Sequence, residues 1–174
     1  MSFWNRDAAN KTPPKIDDIY ESPGHLIRRC QQISVSLFAE ELGEFDLTPI
    51  QYASLLAIRD QPGIDQRGLS RIIAIDRSTV GGVLQTLENK SLIHRTVPPD
   101  NQRIKTATIS KAGEKLLLET SEAIAVVQRR LLEPLGEDEQ AIFLALLSKL
   151  VHVNNAYSRA PLDLTKRKLF QAKK

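Results

Sequence analysis

At 174 residues the chain is long enough for one domain with a sizeable core, and its formal net charge of +3 sets up no global field that would advertise a nucleic-acid partner. The single cysteine, Cys30, excludes an internal disulfide and fits a reducing cytoplasm. No apolar run approaches the ~18 residues of a membrane span and no signal peptide opens the sequence, a pattern that predicts a soluble, cytoplasmic protein.

Residues 1–20 are polar and marked by prolines, and read as an extension that lies over the body or stays loose. From Ser22 to Leu42 the spacing of Leu26, Ile27, Cys30, Ile33 and Leu37 predicts a long helix with one apolar side, where Cys30 would be a small packed thiol. Thr48-Pro49-Ile50-Gln51 starts the next helix with three agreeing signals: a threonine cap, proline at the first position, and glutamine three after the cap. A shorter helix begins near Asp65, another N-cap, and buries Leu69, Ile72 and Ile73. Arg67 and Arg71 share its other face, where such a helix would meet a phosphate backbone.

The helix that follows Asp76 is the most informative. Val80, Val83, Leu84 and Leu87 fall at i, i+3, i+4 and i+7 and form one buried stripe. At 100° per residue, the opposite face carries Ser78, Gly82 and Gln85, flanked by Arg77, Thr79, Gly81 and Thr86. An ordinary surface helix would present lysine and glutamate there. Small hydroxyls, a carboxamide and glycines suit a helix that lies close to base edges and phosphates in a major groove, with glutamine able to pair with adenine. Each mid-helix glycine costs roughly 1 kcal/mol relative to alanine, so the Gly81-Gly82 pair needs a local reason: close packing on another helix, or close approach to a duplex.

Two strand-like runs come next, Ile93 to Val97 and Ile104 to Ile109. Between them, Pro98-Pro99-Asp100-Asn101-Gln102-Arg103 cannot continue a strand, because prolines remove ladder donors and Asp-Asn favours a turn. The result is a hairpin wing with Arg103 at its tip, well placed for a minor groove whose negative potential attracts a guanidinium. Ser110 then caps a fifth helix predicted to run to about Leu132. A sixth starts with Glu137, Asp138 and Glu139 at its positive end and carries Ile142, Phe143, Leu144, Leu146, Leu147, Leu150, Val151 and Val153. That apolar surface is too wide for one buried face, and predicts a core on one side and a partner subunit on the other. Residues 159–174 hold six lysines or arginines against one acid, behind the helix stop Pro161, and read as a basic, mobile arm.

This order of elements is a winged helix-turn-helix, and the residues carry a resemblance to a known family. LTPIQYASLLAI (47–58), DRSTVGGVLQTLENKSLIHR (76–95), NQR (101–103) and TISKAGEKLL (108–117) resemble the MarR family of transcriptional regulators. The likeness spans about residues 20–155, with one departure: Asn101 stands where the family wing usually has an aspartate, one position after Asp100. The resemblance implies a mainly α fold with a small β-hairpin wing, and a homodimer bound to a pseudo-palindromic operator on double-stranded DNA. The corresponding division is an extension (1–20), a helical dimerisation platform (21–46 and 110–157), a DNA-binding lobe (47–109) and a basic tail (158–174). Arg67, Arg71, Arg77, Ser78, Thr79, Gly82, Gln85 and Arg103 are the expected DNA contacts.

The effector region is read from SPGHLIRRCQQ (22–32). His25, Arg29 and Gln32 follow i, i+4 and i+7 beside the apolar stripe, with Arg28 adjacent. A guanidinium next to apolar residues suits an aromatic carboxylate, paired through the acid and walled along the ring; a solvated helix face is the plainer alternative. The segment KIDDIYESPGHLIRR looks closest to repressors of nicotinic-acid degradation, which implies 6-hydroxynicotinic acid as inducer. Catalysis finds no support: His25, His94 and His152 lack metal-ligand spacing, and there is no glycine-rich phosphate loop or nucleophile elbow. No cofactor is expected. The competing functions are a thiol-based oxidant sensor acting through Cys30 and a winged-helix module that binds another protein.

Overall fold

The computed structural model describes residues 13, 15–99, 102 and 104–163. In chain order the elements are α1 (Ile16–Tyr20), α2 (Pro23–Leu42), a 3-10 turn (Gly43–Phe45), α3 (Pro49–Asp60), β1 (Ile64–Asp65), α4 (Gln66–Ile73), α5 (Arg77–Asn89), β2 (Ile93–Thr96), β3 (Thr106–Ile109), α6 (Lys111–Glu119), α7 (Ser121–Leu132), α8 (Glu137–Val153) and a 3-10 turn (Asn155–Tyr157). The fold is mainly α with a small antiparallel sheet, and the sheet has three strands in the order β1-β3-β2.

The helix starts follow their local chemistry. Thr48 Oγ1 accepts from Gln51 N at 3.2 Å while Gln51 Oε1 accepts from Thr48 N at 3.2 Å, a reciprocal capping box. Asp65 Oδ1 accepts from Gly68 N at 2.6 Å, and Ser110 Oγ from Gly113 N at 3.1 Å. Each satisfies an amide that has no intrahelical acceptor. Leu55 and Ile58 of α3, Leu69 of α4, Val80, Leu84 and Leu87 of α5, and Ile93 and Ala107 of the sheet are buried together. The same cluster takes in Phe38 and Leu42 of α2, Leu117 of α6 and Val127 of α7.

Four features depart from the sequence reading. Ile64–Asp65 forms a strand, pairing Ile64 with Ala107 and Asp65 with Thr106; at two residues it has no periodicity to betray it, yet it ties the wing to the start of α4. Residues 16–20, expected as part of a loose extension, form the short helix α1. The fifth helix is two: Thr120 breaks it into α6 and α7, buried, with its hydroxyl donating to the Leu116 carbonyl at 2.8 Å, the back-bonding that bends helices. The apolar side of α2 is buried only at Phe38 and Leu42; Leu26, Ile27 and Ile33 are 50%, 47% and 46% exposed, and Cys30 is exposed too. Within one chain, therefore, Cys30 is not a packed thiol.

The surface left open is continuous. No residue of α8 is buried, which rules out a fully internal helix, and Ile142, Leu144, Leu146, Val151 and Val153 stand in the open. An apolar groove of about 550 Å³ runs between Leu26 and Ile27 of α2 and Phe143, Leu146, Leu150 and Val153 of α8. By contrast α7 is fastened to α2: Arg130 donates to Glu40 at 3.2 Å and to Glu41 beside it. The two carboxylates, Glu40 first, raise the Arg130 pKa.

Candidate nucleic-acid interface and effector region

The geometry of α4 and α5 is set by a tight turn. Ala74 takes the left-handed conformation at φ 53°, and Ser70 Oγ donates to the Ile75 carbonyl at 2.6 Å. Gln66 then bridges the pair, its amide donating to the Arg77 carbonyl at 2.7 Å. A Cβ on Gly81 would stand 3.0 Å from that Gln66 amide nitrogen, whereas one on Gly82 would meet nothing within 4 Å. The two glycines thus have different reasons. Gly81 allows the α4 side chain to cross the first turn of α5, and Gly82 leaves an open dent on the outer face.

That outer face is exposed at Arg77, Ser78, Thr79, Gly82 and Gln85, while Val80, Leu84 and Leu87 are buried behind it. Its first turn is organised by Asp76. Ser78 Oγ donates to Asp76 Oδ1 at 2.5 Å, Thr79 N to the same oxygen at 2.9 Å, and Thr79 Oγ1 to Oδ2 at 2.7 Å. These bonds, the Ser78 hydroxyl foremost, hold the Asp76 carboxyl well below the usual carboxylate range. They also fix what the hydroxyls can do. With their protons committed to Asp76, Ser78 and Thr79 offer lone pairs outward, which suits the exocyclic amino groups of adenine or cytosine better than a phosphate. Gln85 donates to Asn89 Oδ1 at 3.0 Å, which steadies its carboxamide and leaves the second amide hydrogen and the oxygen for a base edge.

Arg67 and Arg71 are both exposed on α4, the helix that packs against α5. Arg103, with Asp100 and Asn101, lies outside the described residues; the strands that carry the wing are present, with Ile93 opposite Ile109 and Thr96 opposite Thr106. Sequence reasoning did not find Gln66 or Asn89. Gln66 shows no signal, because its role depends on a contact across the turn, whereas Asn89 at i+4 from Gln85 was readable as a helix-face pair.

On α2 the predicted effector residues are brought together as two pairs. Arg28 Nη2 lies 3.4 Å from His25 Nδ1, and Arg29 Nη1 donates to Gln32 Oε1 at 2.9 Å. The Tyr20 ring meets His25 edge-on with centroids 5.7 Å apart. Arg28, Arg29 and Gln32 are exposed and His25 is half-buried. Leu26 and Ile27, their neighbours along α2, line the α2–α8 groove.

Comparisons with known proteins agree with this geometry. The MarR family profile matches residues 47–105. The chain is 30% identical to the transcriptional regulator HosA of Escherichia coli over 128 residues, covering 74% of this chain and 93% of HosA. It is 26% identical to the HTH-type transcriptional repressor NicR of Pseudomonas putida over 134 residues, covering 77% of this chain and 85% of NicR. Among solved structures, Bordetella bronchiseptica BpsR, whose DNA binding is regulated by 6-hydroxynicotinic acid, superimposes with a TM-score of 0.72 at 27% identity, covering 80% of this chain and 97% of BpsR. With a buried-backed helix presenting small polar groups, a hairpin wing beside it, and these relatives spanning most of its length, the chain belongs to the MarR family of DNA-binding transcriptional regulators.

Proposed function

We propose that this protein is a homodimeric transcriptional repressor that leaves its operator when a small aromatic carboxylic acid binds, with 6-hydroxynicotinic acid as the first candidate. The observation that carries the DNA reading is the outer face of α5, where Arg77, Ser78, Thr79, Gly82 and Gln85 are exposed, with Arg67 and Arg71 exposed on the adjoining helix α4. Bases are read by Gln85 and the hydroxyls, and phosphates by the arginines, with Arg103 reaching the minor groove from the wing. Dimerisation through α2 and α8 supplies the twofold axis that a pseudo-palindrome requires, and it is supported by the apolar surface those helices leave uncovered.

The effector reading is supported by the pairing of His25 with Arg28 and of Arg29 with Gln32 on α2, the helix whose Leu26 and Ile27 line an apolar groove, and by the likeness to BpsR and NicR. A guanidinium takes the carboxylate and the groove takes the ring. Ligand then favours a lobe spacing unsuited to DNA, by as much as its affinity differs between the two states. The exposed Cys30 favours one rival, an oxidant-driven release. The deciding experiment measures operator occupancy by fluorescence anisotropy during titration with 6-hydroxynicotinic acid, nicotinic acid and benzoic acid, and separately with peroxide on the parent and a Cys30→Ser variant. Release by the hydroxylated pyridine acid at the lowest concentration supports the proposal. Release by peroxide alone, lost in Cys30→Ser, replaces it with the oxidant sensor.

A further inference from the structure

Beyond α8 the chain is held at several points. Asn155 opens the 3-10 turn Asn155–Tyr157, and its side chain clasps Leu162, accepting from the Leu162 N–H at 2.8 Å and donating to the Leu162 carbonyl at 3.0 Å. Inside the closed loop Ser158 N donates to the Asn155 carbonyl at 3.1 Å and Ala160 N to Ser158 Oγ at 3.1 Å, while Pro161 has a fixed φ. The next residue, Asp163, donates its backbone N–H to the Arg71 carbonyl of α4 at 2.9 Å. Residues 159–163, expected as the start of a mobile arm, are therefore fastened; the basic run 164–174 lies outside the described residues.

The anchor on α4 exists because of the turn between α4 and α5. In a continuing helix Ile75 N would donate to the Arg71 carbonyl. Left-handed Ala74 turns Ile75 aside, and its N–H donates to the Ser70 carbonyl at 3.2 Å. The Arg71 carbonyl is left for a donor from outside the helix, and Asp163 supplies one. The other end of the segment begins where α8 stops. Val153 and Asn154 line the α2–α8 groove, and Asn154 Nδ2 donates to the Leu150 carbonyl at 2.8 Å. Among the described residues, none of α8 belongs to the buried core that α2, α6 and α7 share with α3, α4 and α5. Residues 155–163 thus tie the end of α8 directly to the turn that aims α5.

We propose that residues 155–163 are a strap that fixes how the DNA-reading helices sit against α8, and so sets the half-site spacing that the dimer accepts, with Asn155 as its positioning residue. The proposal rests on the reading of α5 as the DNA face and of α2 and α8 as the dimer surface. Both half-sites are met together only when the two copies of α5 stand at the matching separation. One base pair added between the half-sites moves them apart by ~3.4 Å and turns one against the other by about 35°. A recognition helix free to shift against α8 absorbs part of that change, and a strapped one does not. Asn155 acts through Leu162 and Asp163 on α4 and carries no charge, so its removal leaves the number of phosphate contacts as it was.

The test uses the full-length protein and a duplex selected by the parent from a random-sequence library, with derivatives that carry one base pair more or fewer between the half-sites. For each protein the readout is the ratio of affinities for the selected and the altered duplexes, measured across roughly 50 to 200 mM salt. Asn155→Ala opens the clasp, and Asp163→Pro removes the N–H that the Arg71 carbonyl accepts. In both variants the penalty for altered spacing should shrink by ~3- to 10-fold, the scale of one or two hydrogen bonds. Asn155→Ala should keep the parental salt slope, and its Asp163 amide should lose protection from hydrogen exchange. A segment that only stabilises the fold would weaken binding to every duplex alike. Variants that keep the parental ratio therefore overturn the strap and leave the DNA face standing. If the parent itself binds all the spacings equally, the twofold DNA reading falls and the strap with it.

Discussion

Replacing Gly113 by alanine tests whether α6 and the strands of the wing are seated on one close contact. A Cβ at this position would lie 2.3 Å from the Leu92 carbonyl oxygen and 2.8 Å from Ile109 Cγ1. Ordinary contact begins at 3.4 Å, so α6 must withdraw by about 1 Å from the start of β2 in an interior packed like a crystal. The withdrawal strains two bonds at the same spot: Ser110 N to the Leu92 carbonyl at 3.0 Å, and Ser110 Oγ to the Ser91 carbonyl at 2.7 Å. Overpacking costs about 1–3 kcal/mol, a weakened hydrogen bond adds about 1, and the better helix propensity of alanine returns about 1. The net expectation is a loss of ~1–3 kcal/mol, or a midpoint lower by about 2–12 °C for a chain of this size. Thermal melts at matched protein concentration read it, since a dimer's midpoint moves with concentration. Gly82→Ala is the internal control. Its Cβ meets nothing within 4 Å, so the midpoint should rise by ~2 °C, while DNA affinity falls because the methyl fills the dent that faces the groove. A Gly113→Ala protein that melts at or above the parental midpoint refutes the close approach and with it the account of how α6 holds the wing.

Other expectations are independent of that contact. Gln85→Ala should relax base preference with the salt slope little changed, whereas Arg103→Ala should lower the slope by roughly one; equal slopes for Arg103→Ala and the parent remove Arg103 from the groove. Removing both Arg28 and Arg29 should weaken inducer binding ~10- to 100-fold, the scale of a lost charge-assisted contact, and leave ligand-free DNA affinity unchanged. Parental release of DNA by inducer in that folded, dimeric variant places the effector elsewhere. Leu146→Asp puts a carboxylate into an apolar surface that is 61% exposed in one chain, and sedimentation should show monomers; an intact dimer moves the interface off α8. Asp76 supplies the pH dependence. Its folded pKa lies below the ordinary value of 3.8, so its contribution is complete above 3.8 and is lost only as pH falls through the depressed folded value. Amide protection at Thr79 should accordingly survive at pH 4, and protection that titrates with an ordinary carboxylate contradicts the Ser78 and Thr79 bonds.

What could be read from the sequence is what neighbours along a helix determine. The caps at Thr48, Asp65, Asp76 and Ser110 depend on residues three positions apart, and each accepts the bond its spacing implied. The stripe Val80, Leu84 and Leu87 follows from the 3.6-residue turn in the same way. Tertiary structure decided whatever joins distant positions. Ile64 and Ala107 pair across more than forty residues, Gly81 and Gly82 part company only because Gln66 lies across one of them, and Asp163 finds Arg71 from the far end of the chain. The apolar side of α2 shows the limit most clearly. Periodicity located Leu26, Ile27 and Ile33 correctly on one face, but burial is a property of what a face meets, and along the first half of α2 the described residues leave that face about half exposed.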